Sequence, residues 1–364
     1  MSQLVRSDSR AENESVVSVS RYGASGASTR VRMYDWFDHF DLAVDRHEYA
    51  GTSNAGFSTL LRVGGARVAM AELDLCKLVG RVGDKTLILG RSASPFSSGA
   101  LEGALLKAAL HSVYDFDDAI YLAAGPFQRF WSSKRAWLAS VQAADVVIAG
   151  NENLAEEASK HRSEVVLIPS CVEPSNYTQK ASYELAEYPR AVWIGSPSTE
   201  SYLTELSAVL MELNAKHGLR VTVISAGNAS LGPLDSIIDR QDWDPGTFAS
   251  QIASADVGLM PLPDTPFTRG KCSYKLLQYA AAGLPVVGTG IGANSSVIPR
   301  LGGFVANNSV EWTDAIDGVI EMSARERLSM GGRARAGVQK HYSFDAWSTQ
   351  WMGAVGISPK TPGP

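Results

Sequence analysis

The chain has 364 residues, of which 45% are hydrophobic and 20% charged, a composition typical of a globular protein large enough for two domains. A formal net charge of −5, without a dominant block of lysine or arginine, argues against a nucleic-acid-binding protein. The three scattered cysteines predict neither a disulfide framework nor a metal site and favour a reducing compartment.

Neither end of the chain has the pattern of a folded or membrane-inserted segment. Residues 1–15 are polar and carry both charge signs, which predicts a disordered tail and not a signal peptide. Residues 358–364 are predicted to form a second tail. The sequence has no apolar run long enough to span a membrane. We therefore expect a cytoplasmic protein without integral membrane association.

The first half of the chain opens with the apolar strand 16–20, a loop of small residues over 21–27 and a helix over 28–40. This order begins many doubly wound α/β domains, in which ligands bind at the loop after the strand. Strands and helices then alternate, which indicates a mostly parallel sheet. Further strands are predicted over 86–89, 112–116 and 145–149, and further helices over 67–78, 99–110 and 134–144.

The second half repeats this pattern after residues 174–189, which we interpret as a polar linker. A final helix is predicted over 344–355. Between the linker and this helix, strands are predicted over 191–195, 219–225, 256–260 and 285–288, and helices over 199–216, 247–253, 310–322 and 324–341. The pattern predicts a second doubly wound domain.

The segment from Arg269 to Val287 combines a basic loop, a helix, a glycine stop and a buried strand. Arg269, Lys271 and Lys275 lie beside the predicted helix N-terminus, where unpaired N–H groups and the helix dipole favour a phosphate. If Ser273 caps this helix, its first N–H groups point toward such a ligand. Lys275 and Gln278 share a helix face, so they would contact the diphosphate and a ribose hydroxyl. The alternative is an ordinary helix–strand unit with solvated lysines.

This segment closely resembles the donor-sugar segment of retaining GT-B glycosyltransferases of family 4, and most of all a subgroup with the pattern RGKC-x-x-K-x-L-Q-Y-x-A-x-G-x-P-V-V. The matching positions are Arg269, Gly270, Lys271, Cys272, Lys275, Leu277, Gln278, Tyr279, Ala281, Gly283, Pro285, Val286 and Val287. The resemblance implies a GT-B fold of two doubly wound Rossmann-like domains facing each other across a cleft. It implies an acceptor-side domain over 16–173, a nucleotide-sugar domain over 190–343 and a helix over 344–357 that crosses back to the first domain.

The chain departs from the wider family at two positions. Gly270 and Gln278 stand where most members have glutamates. The amide of Gln278 can still bind the ribose, whereas Gly270 cannot contact the transferred sugar. The usual arginine and lysine are also missing from the loop that begins at Ser196. We therefore expect Arg269 and Lys271 to neutralise the diphosphate and to act catalytically. The full set of predicted donor contacts is Gly23, Gly26, Ser196, Ser273, Tyr274, Lys275 and Gln278.

Three carboxylates, Asp115, Asp117 and Asp118, follow one another at the end of a predicted strand. Like charges this close are costly unless something uses or neutralises them. A sugar contact is the interpretation we favour, because the subgroup carries a similar run at the loop that faces the donor. Asp117 is then a catalytic candidate and Asp118 lies on the acceptor side. A divalent metal site, or helix caps and salt bridges, are the alternatives.

Candidate residues for the acceptor side lie in or beside the loop after the first strand and at Asn151. Gly23 and Gly26 would let the backbone approach a ligand closely, and Ser25 and Arg30 lie beside them. Asn151 either caps a helix or lines the acceptor site. No basic amphipathic anchor is apparent, which favours a soluble small-molecule acceptor over a lipid-linked one.

Together these residues predict a retaining, metal-independent glycosyltransferase without a cofactor. It would move a sugar from a nucleoside-diphosphate sugar to a hydroxyl or amine of a small molecule, such as a natural product or a cyclitol. The protein would be a monomer or homodimer and would not bind nucleic acid. Three alternatives remain: a pseudo-glycosyltransferase, a nucleotide-sugar epimerase of the same fold, and a non-catalytic nucleotide-binding protein.

Overall fold

The structure, a computed structural model, describes residues 15–24, 26–51, 57–123 and 131–357. The predictions for the two tails and for Ser25 therefore fall on residues outside the described part. The chain divides into two compact units. The first contains the residues up to 149, residues 155–167 and those from 350 onward, and the second contains residues 150–154 and 168–349.

The first unit is built on a sheet of six parallel strands in the order β2-β1-β3-β4-β5-β6. Its central strands are almost wholly buried and rich in valine, leucine and isoleucine, as is usual when helices cover both faces of a parallel sheet. The strands are β1 (Val16–Ser20), β2 (Val44–Glu48), β3 (Thr86–Gly90), β4 (His111–Phe116), β5 (Val146–Ala149) and β6 (Val165–Leu167).

Helices connect these strands. The first helix, α1, consists of α-helical turns at Ala27–Thr29 and Asp35–His39 with a π-helical segment, Arg30–Tyr34, between them. Such π-helical segments are rare and are frequent at functional sites. The others are α2 (Phe57–Val63), α3 (Gly65–Val79), α4 (Ala100–Ala108), α5 (Ser133–Ala143) and α6 (Glu152–Ser159).

The second unit repeats this plan with six parallel strands in the order β12-β11-β10-β7-β8-β9. The strands are β7 (Arg190–Ile194), β8 (Arg220–Ile224), β9 (Ile238–Gln241), β10 (Val257–Met260), β11 (Val286–Gly288) and β12 (Phe304–Val305). The helices are α7 (Ser207–His217), α8 (Phe248–Ala253), α9 (Tyr274–Ala281), α10 (Asn294–Arg300), α11 (Ser309–Glu321), α12 (Ala324–His341) and α13 (Phe344–Val355). Short 3₁₀ helices lie at Tyr49–Gly51, Ile120–Leu122, Pro174–Asn176, Pro197–Leu206, Gly232–Ser236 and Thr268–Gly270.

Two apolar clusters form the core of the second unit, one on each face of its sheet. Leu276 of α9, Val297 of α10 and Val338 of α12 belong to the first cluster. Leu210 of α7 and Ile316 of α11 belong to the second. Each helix therefore buries one apolar stripe against the sheet, and such stripes predicted four of these five helices from the sequence. The short α10 was not predicted.

Residues 174–189, interpreted as a polar linker, belong to the second unit. The hydroxyl of Tyr183 donates to the Gly283 carbonyl over 2.6 Å, and the side chain is buried. The buried amino group of Lys180 bonds to the Ala255 carbonyl and to Asp256. These contacts pack the segment onto the unit.

The last helix, α13, is divided between the units near its middle. Its buried Trp351 belongs to the first unit, where its ring stacks on Trp36 of α1 at a centroid distance of 5.1 Å. In the part of the chain that the structure describes, no helix has both the length and the hydropathy required to cross a membrane.

Candidate functional site

The carboxyl ends of parallel strands meet at one edge of a sheet, so the residues after β1, β3 and β4 of the first unit lie together. Within this edge, Arg32 of α1 reaches Asp115 of β4. Its Nε and one terminal nitrogen donate to the two carboxylate oxygens over 2.9 and 2.8 Å. Both side chains are 3% exposed. Burial raises the pKa of the Asp115 carboxyl, and Arg32 opposes that rise.

Arg91, directly after β3, holds the other two carboxylates of the run. Its Nε lies 3.1 Å from Asp117 and a terminal nitrogen donates to Asp118 over 2.6 Å. Burial lowers the pKa of the Arg91 guanidinium, but the two carboxylates outweigh this effect and raise it overall. Arg91 also has a left-handed backbone with φ of 59°, which is unusual and strained for a residue with a side chain.

These ion pairs decide how the three carboxylates are neutralised. Each lies within ion-pair distance of an arginine, which is the arrangement expected from the salt-bridge alternative. A sugar hydroxyl is a hydrogen-bond donor that such a cluster can bind without a metal ion. The catalytic role of Asp117 and the acceptor-side role of Asp118 remain predictions.

The loop after β1 is held in place by short-range hydrogen bonds. The hydroxyls of Ser20 and Thr29 lie 2.6 Å apart, which ties the end of β1 to the first turn of α1. The Gly26 N–H donates to the Gly23 carbonyl over 2.8 Å, so a tight turn precedes the helix. Arg30 begins the π-helical segment and is half-buried. The donor-side roles of Gly23 and Gly26 and the acceptor-side role of Arg30 remain predictions.

In the second unit, α9 begins without the cap predicted for it. The Ser273 side chain makes no capping bond to the helix, and the residue has a left-handed backbone with φ of 57°. Its buried hydroxyl donates instead to the Asn294 side chain over 2.7 Å. The capping prediction was therefore wrong, because a serine in this conformation points its hydroxyl away from the helix it precedes. The helix still directs the positive end of its dipole toward the basic loop.

Lys275 lies where it can neutralise an anion at the end of β7. Its ammonium group is 5.0 Å from the centre of the Trp193 indole, a cation–π distance. A Cβ atom built on Gly195 would lie only 2.8 Å from this ammonium group. It would also lie 2.6 Å from the Trp193 ring, so a side chain at 195 would disturb both partners of this contact. In this way Lys275 supplies positive charge to a loop that lacks the basic residues usual in the resembled family.

Lys271 and Asn151 are brought together within the second unit. The Asn151 side-chain N–H donates to the Lys271 carbonyl over 3.0 Å. The Asn151 Oδ1 accepts from the Leu154 N–H over 2.8 Å and thus caps α6. The predicted cap is confirmed, and the contact with the basic loop is an additional finding. The Lys271 ammonium group lies 4.7 Å from the centre of the Phe267 ring.

Arg269 has a different environment from the two lysines. Its guanidinium forms a bidentate ion pair with Asp264, with distances of 2.7 and 2.9 Å. Both side chains are about half exposed, and the hydrogen bond to Arg269 lowers the pKa of Asp264. Asp264 therefore competes with any diphosphate for this arginine, an interaction that the sequence analysis did not anticipate.

Gln278 is 5% exposed, and no side chain or backbone group in the described part of the chain bonds to its side-chain amide. Its amide can therefore donate to or accept from a ligand without breaking a bond within the described residues. Of the remaining donor candidates, Ser196 is in the exposed turn before the 3₁₀ helix, where its hydroxyl lies 3.0 Å from that of Ser198. The half-buried Tyr274 is the first residue of α9, and its hydroxyl lies 3.4 Å from that of Tyr177.

Sequence reasoning missed the roles of Arg91 and Arg32. A signal for Arg91 was available, because it directly follows a buried strand and so lies at the sheet edge that carries Asp117 and Asp118. The partner of Arg32 could not be inferred, since 83 residues separate it from Asp115.

No protein-family model matches the sequence, and no curated protein matches it significantly. Solved structures do match, at low identity. The Anabaena HepE protein in complex with UDP has a TM-score of 0.68 at 14% identity, over 94% of this chain and 99% of that one. WaaG, a glycosyltransferase involved in lipopolysaccharide biosynthesis, has a TM-score of 0.64 at 13% identity, over 95% and 100%. A UDP-forming α,α-trehalose-phosphate synthase from Burkholderia xenovorans has a TM-score of 0.65 at 10% identity, over 95% of this chain and 100% of that one.

These likenesses cover nearly the whole of each chain, and the two six-stranded parallel sheets supply the same architecture independently. The chain therefore has the GT-B fold, with two Rossmann-like α/β units.

Proposed function

We propose that this protein is a retaining glycosyltransferase that uses a nucleoside-diphosphate sugar and needs no metal ion. The observation that carries the proposal is the start of α9. Lys275 reaches the end of β7, Lys271 precedes the helix, and Gln278, which is 5% exposed, lies one turn further along. This set offers cations for a diphosphate and an amide for a ribose on one helix.

The reaction would proceed by electrostatic stabilisation of the leaving group. The bond between the anomeric carbon and the diphosphate breaks while the bond to the acceptor oxygen or nitrogen forms on the same face of the sugar. The acceptor proton passes to an oxygen of the departing diphosphate, so no protein nucleophile is required. Lys271, Lys275 and the α9 dipole would lower the energy of the developing negative charge. Arg269 would assist only after exchanging Asp264 for the diphosphate.

Support for the donor class also comes from the solved structures, since HepE is bound to UDP and the trehalose-phosphate synthase is UDP-forming. We propose the same class of donor for this chain. The acceptor is proposed to be a small molecule that offers a hydroxyl or an amine, and the cluster of Asp117 and Asp118 would bind its hydrogen-bond donors.

We expect UDP or another nucleoside diphosphate to raise the melting temperature of the purified protein, because a ligand that binds only the folded state stabilises it. The measurement is a thermal-shift series with UDP, GDP, dTDP and ADP, repeated with EDTA. The selected nucleotide sugar is then assayed for transfer and hydrolysis. A shift without turnover would support a non-catalytic nucleotide-binding protein, and loss of activity with EDTA would contradict metal independence. The absence of any shift would refute donor binding.

A second expectation concerns the two carboxylates held by Arg91. Asp117→Asn is expected to lower the transfer rate by ~10- to 100-fold, the effect of losing one hydrogen bond to a charged group. Asp38→Asn is the control, because Asp38 is an exposed carboxylate of the same unit that pairs with Arg46 and lies outside this cluster. Rates and melting temperatures of both variants are compared. Equal losses of rate, or a collapse in the melting temperature of Asp117→Asn, would instead assign Asp117 a structural role.

A further inference from the structure

The helix α3 has apolar residues on the face that it turns to solvent. On its inner face Leu75 and Leu78 are buried. On the opposite face Met70 and Leu73 are 58% and 57% exposed. Residues three apart lie on the same side of a helix, so these two side chains form one stripe. The outer face of a surface helix is normally charged or polar, and this stripe therefore departs from the usual pattern.

The preceding helix also has an exposed apolar side chain. Leu61 of α2 is 69% exposed, the second largest exposure among the large hydrophobic residues in the described part of the chain. Only Gly64 separates α2 from α3. Three large apolar side chains within thirteen residues exceed the scattered single exposures that are normal on a protein surface.

Positive charge accompanies these apolar residues. Residues 57–81 contain four basic residues and two acidic ones, a net charge of +2, whereas the whole chain has −5. Lys77 is paired with Asp74, and the other acid, Glu72, accepts from Tyr49 and Ser94. The remaining three basic residues are exposed and form no ion pair within the described residues: Arg62, Arg67 and Arg81.

We propose that the α2–α3 surface, formed by Leu61, Arg62, Arg67, Met70, Leu73 and Arg81, binds the surface of a membrane that contains anionic lipids. In this arrangement the apolar side chains enter the boundary between head groups and acyl chains, and the arginines contact the anionic head groups. This proposal differs from the expectation that the chain has no basic amphipathic anchor. The helical pattern of residues 67–78 was recognised, but the side of the helix that faces the sheet was not, so its outer apolar stripe went unnoticed.

The presence of both apolar and basic side chains on this surface disfavours other occupants. A second copy in a two-fold interface would bring two surfaces of like positive charge together, and this repulsion disfavours a dimer. A nucleic acid or an acidic polysaccharide would pair with the arginines and leave Met70 and Leu73 without a role. A lipid surface accounts for both residue types, and it does not depend on the proposed transferase activity.

The test is co-flotation of the full-length protein with vesicles of phosphatidylcholine, alone or with about a third phosphatidylglycerol. We expect binding only to the anionic vesicles, and a loss of that binding as the salt concentration rises. Two variants test the apolar and the basic residues separately. One is Met70→Ser with Leu73→Ser, and the other is Arg62→Gln with Arg67→Gln and Arg81→Gln. Each basic residue is expected to contribute ~5-fold to partitioning, so the triple variant should bind ~100-fold more weakly.

Leu110→Ser is the matched control, because Leu110 is 72% exposed in the same unit but lies outside this surface. Equal melting temperatures establish that all variants are folded. The proposal is overturned if the wild type floats with neither vesicle, or if the control loses as much binding as the Met70 and Leu73 variant. Concentration-dependent dimerisation that the Met70 and Leu73 variant abolishes, without flotation, would show that a second copy covers this surface instead.

Discussion

A Lys275→Ala variant is expected to lose about 100-fold or more in kcat while it remains folded, the effect of removing one charged group that stabilises a leaving group. Its ammonium group lies beside Gly195 at the end of β7, in a loop without basic residues of its own. Alanine therefore removes the charge that α9 delivers to this loop. The accompanying loss of the cation–π contact with Trp193 is small, at ~0.5–1 kcal/mol.

The measurement is kcat and KM with the donor identified by thermal shift. Lys340→Ala is the control, because Lys340 is an exposed lysine of the same unit, at the end of α12. Lys271→Ala is expected to act in the same direction as Lys275→Ala. If Lys275→Ala keeps its kcat and raises only KM, the lysine binds donor and transition state equally and has no part in stabilising the leaving group. Unchanged kcat and KM would remove it from the site altogether.

Replacement of Arg32 by methionine is expected to lower the free energy of unfolding by about 3–5 kcal/mol, because it leaves the buried Asp115 carboxylate without its partner. Both side chains are 3% exposed, so water cannot compensate for the loss. The comparison is Arg46→Met, which breaks an exposed ion pair with Asp38 in the same unit. That change is expected to cost less than ~1 kcal/mol. Denaturant unfolding measures both.

Two further observations identify the cause of this loss. Arg32→Met combined with Asp115→Asn should recover a large part of the stability, since no buried charge then remains. The loss should also depend on pH. Burial raises the pKa of Asp115, and removing Arg32 raises it further. The protonated carboxyl no longer carries the penalty of a buried charge, so the deficit of the single variant should shrink as the pH falls through that raised pKa. A deficit that is independent of pH would point to lost packing instead.

The sequence located most elements because the apolar patterns of α/β proteins are strong in the buried parts of a sheet. The bounds of six central strands were predicted to within one residue: β1, β3, β4, β5, β7 and β8. The helix α11 was predicted equally well, whereas α7 begins eight residues after its predicted start because residues 197–206 form a 3₁₀ helix. The strands that were missed lie at or next to the sheet edges. β2 has the sequence Val-Asp-Arg-His-Glu and is only half-buried, so it has no apolar run to recognise. β9 and β12 are likewise short or polar.

The candidate site was predicted in composition but not in its pairings. The basic residues at the start of α9 and Gln278 belong to one continuous segment of the sequence. A pattern within one segment can be recognised from the sequence alone. The partners of Asp115 and Asp117 come from α1 and from the residue after β3, and no local pattern encodes such distant contacts. Ser273 shows a further limit. Its residue type favours a helix cap, yet the backbone conformation at this position decides where the hydroxyl points.

The left-handed backbone at Ser273 has a consequence for how a ligand would meet this unit. Glycine would adopt that φ without strain and would leave a hinge before α9. Serine instead accepts the strain and fastens the turn to Asn294, whose own amide is fixed by the Thr289 carbonyl over 3.0 Å. The approach to the helix is thus locked before any ligand arrives. An anion that binds there would lose little free energy to ordering of the chain, and affinity would depend on charge and fit.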